Sequence, residues 1–189
     1  VQDLSLHLLD IIENSARAEA KLIEIRIDVD EVSDRMKIFV RDNGTGMDSK
    51  TLAMAQDPFY TSKMERVKKV GLGIPLFKQN VEQWNGSFLM KSELGKGTEL
   101  FAEFQASNID RIPLGNIRDT LLGSIIGHPE IDFQVCLKHE ISGANLHYEF
   151  DTIPLREELG DIPITYPDVI SYIENDINEG IQNTKMEEI

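Results

Sequence analysis

The sequence predicts an α+β fold. Its first 106 residues read as a two-layer α/β sandwich, a mixed and mainly antiparallel sheet with helices on one face, and a smaller C-terminal α+β unit follows. Three observations carry this expectation. Segments with an apolar residue every second position stand beside segments with one every third or fourth. Their order, one helix, two strands, helices and then a hairpin, favours antiparallel neighbours over repeated parallel crossovers. The chain of 189 residues, 41% hydrophobic and 28% charged, is also large enough to close a core.

Residues 4–22 form the first expected helix. Leu4, Leu8, Ile11, Ile12, Ser15, Ala16 and Leu22 fall on one side of a helical wheel. His7, Asp10, Asn14, Arg17 and Lys21 form a polar stripe on the other, which is expected to face solvent. IEIRIDV then alternates strictly, with Ile23, Ile25, Ile27 and Val29 facing one way, and MKIFVR repeats the pattern. TLAMAQDPF predicts a short helix stopped near Pro58. The basic stretch YTSKMERVKKVGLGI has no clear period and is expected as a loop. LFKQNVEQW is helical, with Asn85 and Gly86 as its stop, and SFLMKSEL and TELFAEFQA are strands joined through Gly95, Lys96 and Gly97. Beyond Ser107, PLGNIRDTLLGSII and PDVISYIENDINEGI predict helices, while DFQVCLKHEI and LHYEFDT predict strands.

Charge divides the chain at the same place. Residues 1–106 carry 17 acidic and 14 basic side chains, whereas residues 107–189 carry 16 and 5, giving nets of −3 and −11. Nucleic-acid binders normally present a basic stripe, so a nucleic-acid partner is not expected. The acidic half, 107–189, is instead expected to dock a protein partner. No apolar run reaches the length of a membrane span, and no signal segment is recognisable, so a cytoplasmic protein without a membrane partner is expected. The single cysteine, Cys136, leaves no intrachain disulfide and no multi-cysteine metal site, consistent with a reducing compartment.

Glycine-rich segments were compared with the familiar phosphate loops. GKGT around Lys96 lacks the glycine five places earlier that a P-loop requires, and Gly44 and Gly46 lack the third glycine of a dinucleotide fingerprint. Four other short segments remain: ENSA on the first helix, DNGTGM after the second strand, GLGI after the basic loop, and GKGT opening a strand. In this order they resemble the N, G1, G2 and G3 boxes of the GHKL superfamily of ATP-binding domains, which includes histidine kinases, gyrase B, heat-shock ATPases and MutL proteins. DPFYTSK resembles the phenylalanine-containing box of the histidine kinases. The resemblance spans about residues 4–104 and implies a Bergerat-type ATP site, here in a stand-alone form with an acidic C-terminal extension.

The resemblance assigns roles that elementary chemistry supports. Asn14 would ligate Mg²⁺ through a neutral, hard amide oxygen, adding no negative charge beside a triphosphate. Asp42 would accept a hydrogen bond from the exocyclic amine of adenine, which guanine does not offer. Gly44, Gly46 and Met47 would line the base, and Thr98 would stand near it. Gly71, Leu72 and Gly73 would bring backbone amides to the phosphates, with Lys63 and Lys69 adding positive charge. Lys69 occupies the place of an earlier family glycine. Where hydrolysing and serine-phosphorylating branches carry a catalytic glutamate, one turn before the asparagine, this sequence has the shorter Asp10. Glu13 is the second choice for the base, about 100° round the helix.

None of His7, His128, His139 and His147 has the setting of a phosphoacceptor, so transfer to a separate protein is expected over self-phosphorylation. Three outcomes for bound Mg-ATP stay open at this point: phosphotransfer to a partner, an ATPase switch that closes and forms a homodimer, or non-catalytic sensing.

Overall fold

The computed structural model describes residues 3–57 and 73–189. Helix α1 spans Leu4–Arg17, and Asp3 caps it, accepting from the Leu6 amide at 3.1 Å. The helix stops short of the expected residue 22. Glu19 takes a left-handed backbone (φ 58°), the Glu19 amide donates to Ala16 O at 3.0 Å, and the Ala20 amide donates to Ser15 O at 3.1 Å. This pair of bonds closes the helix as a Schellman motif and turns the chain into the first strand.

Strands β1 (Leu22–Asp30) and β2 (Arg35–Asp42) form an antiparallel pair. Helix α2 (Ser49–Ala55) follows, then α3 (Gly73–Gln83), β3 (Ser87–Glu93) and β4 (Gly97–Gln105). Asn85, expected to stop α3, takes φ 56° just beyond it. Helix α4 (Ile117–Gly127), β5 (Asp132–Ile141), β6 (Ala144–Asp151), α5 (Thr152–Leu159), α6 (Pro167–Thr184) and a final 3₁₀ turn (Met186–Glu188) complete the chain.

The strands build one six-stranded sheet in the order β3-β4-β2-β1-β5-β6. All neighbouring pairs are antiparallel except β1 and β5, which run parallel with Ile25 opposite Val135 and Ile27 opposite Leu137. The mixed α+β class is thus the observed one. The change of pattern at Ser107 marks a change in charge without a break in the sheet, because β5 completes the hydrogen-bond ladder of β1. One core unites both sides of that boundary. Ile25 and Ile27 of β1, Ile38 of β2, Phe104 of β4 and Leu137 of β5 all lie buried beneath helices that include Ile12, Leu121, Ile173 and Ile177.

Two local expectations are corrected. His7, placed on the wet stripe of α1, is 1% exposed. Helix α3 covers that flank: the Phe77 ring lies 5.0 Å from the imidazole, and Nε2 of His7 is 3.0 Å from Nδ2 of Asn80. Helix α5 begins where only a strand end was expected. Pro154 sits in its first turn, where a missing amide proton costs no helical bond, and Asp151 caps it by accepting from the Ile153 amide at 2.8 Å. No helix among the described residues is long and apolar enough to cross a membrane.

Candidate functional site

Between α1 and the sheet, beside the end of β2, lies a cavity of about 360 Å³. That volume falls in the range of small-molecule sites. Its walls are largely apolar: Ile11, Val40, Ala55, Ile74, Met90 and Leu100. Asn14, Ser15, Asp42, Thr45 and Thr98 supply its polar groups, and Arg17 and Met47 also line it. The sequence segments ENSA, DNGTGM and GKGT, far apart along the chain, therefore meet at one concavity.

Asp42 is the anchor. It ends β2 facing the helices and is only 6% exposed. One carboxylate oxygen accepts from the Ser15 hydroxyl at 2.8 Å, and the other accepts from the Gly44 amide at 2.8 Å. Two donors stabilise the ionised form of a buried carboxylate. Its four lone-pair directions leave capacity for a ligand donor. Asn43 holds the next position by accepting from the Lys21 and Leu22 amides at 2.8 and 2.9 Å. The start of β1 and the end of β2 are thereby tied together beside the cavity.

The loop after Asp42 and the turn before β4 interlock. Gly46 has φ +66°, and a Cβ there would fall 2.0 Å from Glu93 O. Gly97 has φ +90°, and a Cβ there would fall 1.9 Å from Asp42 O. Only glycine serves at both places, on backbone angle and on space alike. The Thr45 amide donates to Ala18 O at 2.8 Å, while Thr45 O accepts from the Gly95 amide at 2.8 Å. Thr98 stands opposite Asp42 in the strand register. Its hydroxyl lies 2.9 Å from Ser92 Oγ, which also accepts from the Met47 amide at 2.8 Å.

Asn14 is half-buried on α1, and its side-chain oxygen accepts from Arg17 Nη1 at 3.0 Å. A neutral oxygen at the cavity wall fits a hard cation such as Mg²⁺, which takes few protein ligands and completes its shell with phosphate and water oxygens. Asp10 lies one turn earlier on α1, against the start of α3. A Cβ on Gly73 would fall 2.5 Å from Asp10 Oδ2, so the carboxylate occupies the space that glycine leaves. Partial burial pushes the Asp10 carboxyl above its ordinary range, with Glu13 adding to the effect and Arg17 opposing it.

Glu13 points elsewhere. Its Oε1 lies 2.9 Å from His128 Nε2, in the segment between α4 and β5, and neither Glu13 nor Asp10 is among the cavity's lining residues. Lys63, Lys69, Gly71 and Leu72 lie outside the described residues, as does the segment 58–62 of the phenylalanine-containing box. Sequence reasoning missed Ser15, Thr45 and Ser92. Ser15 stands inside ENSA and was legible as a candidate. Ser92 carries no local signal, because its role depends on strand pairing with Thr98.

The family described as Histidine kinase-, DNA gyrase B-, and HSP90-like ATPase matches residues 1–108. A putative sensor protein of Shewanella frigidimarina is 31% identical over 110 residues, 58% of this chain and 17% of that protein. Sensor protein SrrB of Staphylococcus aureus is 37% identical over 94 residues, 48% of this chain and 16% of that protein. The chain therefore spans about a sixth of the length of these curated relatives. Among solved structures, the Aquifex aeolicus MutL ATPase domain complexed with ADP aligns at a TM-score of 0.45 and 16% identity, covering 72% of this chain and 60% of that one. Full-length ShkA in complex with AMPPNP aligns at 0.41 and 21%, covering 55% and 22%.

Proposed function

This chain belongs to the histidine kinase-, DNA gyrase B- and HSP90-like ATPase family, and from that premise we propose that it binds Mg-ATP in the cavity beside Asp42 and delivers the γ-phosphate to a partner protein or to water. Membership implies ATP binding; the metal, the fate of the phosphate and the partner's control are the proposed parts. The observation that carries the reading is Asp42 itself, a buried, doubly hydrogen-bonded carboxylate at the end of an apolar slot of nucleotide-base dimensions. An adenine amine donates to it, whereas guanine would present a carbonyl oxygen to the same oxygens and be repelled.

Asn14 would hold Mg²⁺, which supplies electrostatic stabilisation of the transferring phosphoryl group when bound. Thr98 and the Gly44–Met47 loop would border the base. Asp10 sits one helical turn from Asn14, and partial burial raises its carboxyl above the ordinary range, the direction that strengthens a carboxylate as a proton acceptor. Glu13 is engaged by His128, which favours Asp10 as the base. Lys63, Lys69, Gly71 and Leu72 retain their proposed place at the phosphates. The relatives named as sensor proteins support a role in signal transduction, and the surplus of acidic residues after Ser107 supports docking of a basic protein surface. A homodimer and a cytoplasmic setting complete the proposal.

The test is a joint measurement of bound nucleotide and released phosphate with γ-labelled Mg-ATP. Saturable ATP binding that resists competition by GTP is expected, together with a loss of at least about 100-fold in ATP affinity in Asp42→Asn. ATP affinity unchanged by Asp42→Asn would overturn the assignment of the cavity. Phosphate release without a partner would favour water as acceptor, and labelled partner protein would favour kinase chemistry.

A further inference from the structure

On the face of the sheet opposite the helices, Cys136 of β5 meets His147 and Glu149 of β6. Glu149 is the cross-strand partner of Cys136, and His147 stands two residues before it on the same face. Cys136 Sγ lies 3.6 Å from His147 Nε2, and the same nitrogen lies 3.1 Å from Glu149 Oε1. One donor atom from each of the three groups falls within 4.8 Å of the others. We propose that these three side chains form a binding site for a zinc-class divalent cation, independent of the nucleotide cavity.

The distances fit a tetrahedral metal centre. With Zn–S near 2.3 Å and Zn–N near 2.1 Å, a tetrahedral centre sets sulfur and nitrogen about 3.5 Å apart, and nitrogen and oxygen about 3.3 Å apart. The two measured separations lie within a few tenths of an ångström of those edges. Thiolate and carboxylate together offset the charge of a divalent ion, and imidazole adds a neutral ligand. A mixed sulfur, nitrogen and oxygen set selects zinc-class ions over Mg²⁺, which prefers oxygen alone. Binding would replace the S–H bond of Cys136 by an S–metal bond and release its proton to solvent, while His147 coordinates through Nε2 with its proton on Nδ1.

The surroundings supply a second, independent observation. On the adjoining strand β1, one carboxylate oxygen of Asp28 is buried and has no hydrogen-bond partner among the described residues. Asp28 shares the open face, where Arg26 stands opposite Cys136 and Asp28 opposite Lys138 in the β1–β5 register. A cation held by the three ligands would offset the negative charge that Glu149 and Asp28 bring to this face. Arg26, the other flanking cation, is drawn toward Glu24 at 3.3 Å and lies 5.3 Å from the Phe39 ring centre. Lys138 borders His147 in the β5–β6 register. Three protein ligands with an open position make an exchangeable site, not a closed structural one.

Titration of the untagged, reduced, nucleotide-free chain with Co²⁺ tests the proposal. Saturation at one equivalent is expected, with a thiolate-to-cobalt charge-transfer band that Zn²⁺ abolishes by displacement. Cys136→Ser should remove the band, and His147→Ala and Glu149→Gln should each weaken binding by at least about tenfold. The latter two replace exposed side chains, so their metal-free melting curves should match wild type. Absence of saturable binding would overturn the site, as would binding that shows no thiolate band and survives all three substitutions.

Discussion

Strands β2 to β4 and strands β5 and β6 flank β1 on its two edges, through an antiparallel ladder with β2 and a parallel one with β5, and they expose very different chemistry. The first group ends in loops locked by Gly46 and Gly97, which hold Asp42, Asn14 and Thr98 around a defined cavity. The second carries most of the net negative charge and lays its polar groups over an open sheet face and the outer side of α6. Binding geometry in the first group is over-determined by backbone contacts, while the second presents surface side chains that the core does not constrain. The difference teaches that the acidic half contributes structurally to the first half, by completing its sheet, while its outer side chains stay outside that shared core.

The largest break in that comparison comes from removing the second region. A chain ending at residue 106 would expose the whole edge of β1, from Leu22 to Asp30, and uncover Ile12 and its neighbours beneath α4. Loss of soluble, cooperatively folding protein is expected, because an unpaired apolar edge strand is an aggregation template. A soluble 1–106 fragment that melts cooperatively and binds ATP would show that the halves are energetically independent.

Next in size is the chemical step. Asp10→Asn removes the proposed proton acceptor but keeps the shape against Gly73, so turnover should fall by about 10²- to 10⁴-fold with ATP affinity within a factor of a few of wild type. Single-turnover phosphate transfer beside equilibrium binding separates the two quantities. In wild type, the rate should rise with pH with a midpoint above the ordinary carboxylate value, since the raised pKa of Asp10 delays formation of the base.

Core substitutions sharpen the comparison further. Ile173→Ala on α6, fully buried far along the chain from the nucleotide cavity, should cost about 2–5 kcal/mol. If one core unites both regions, urea unfolding monitored at Trp84, which lies in the first region, should shift together with far-UV dichroism in a single transition. A Trp84 transition left at its wild-type position would argue for separate folding units.

Much of this architecture was legible before the coordinates. Strict alternation from Ile23 to Val29 gave β1, and three of the four boxes, ENSA, DNGTGM and GKGT, meet at one cavity, because each encodes a local backbone or ligand requirement. The rest depended on tertiary partners. A helical wheel assigns α1 a single buried side, but α3 covers a second flank and takes His7 with it. The parallel pairing of β1 with β5 leaves no trace in either strand's period, and α5, only eight residues long with Pro154 in its first turn, has too short a period to stand out. Ser92 and the engagement of Glu13 by His128 are likewise contacts between distant segments.

His7 itself provides a prediction of intermediate size. Burial lowers its pKa from 6.5 to about 4. Between those values the unfolded chain binds more protons at this residue than the folded one, so stability is present in full above pH 6.5 and declines as pH falls toward 4. The decline should be of the order of a few kcal/mol, at about 1.4 kcal/mol for each unit by which burial lowers the pKa. His7→Leu should flatten that part of the stability profile measured by urea titration at each pH. An unchanged slope would mean that His7 accepts a proton in the folded state without penalty.

The smallest expected effect lies on the seam between the two regions. Glu13 and His128 join α1 to the acidic half at 2.9 Å, but their side chains are 39% and 21% exposed. Such a pair contributes about 0.5 kcal/mol, and less at high salt. Glu13→Gln and His128→Ala should therefore move the melting temperature little, and a double-mutant cycle should return a coupling energy of that order. Turnover is the sharper readout. If Glu13 is held away from the phosphate by His128, both single variants should hydrolyse or transfer at close to the wild-type rate, in contrast to Asp10→Asn. A fall in Glu13→Gln as deep as that in Asp10→Asn would reverse the order of the two carboxylates and make the His128 contact a resting position from which Glu13 is released when nucleotide binds.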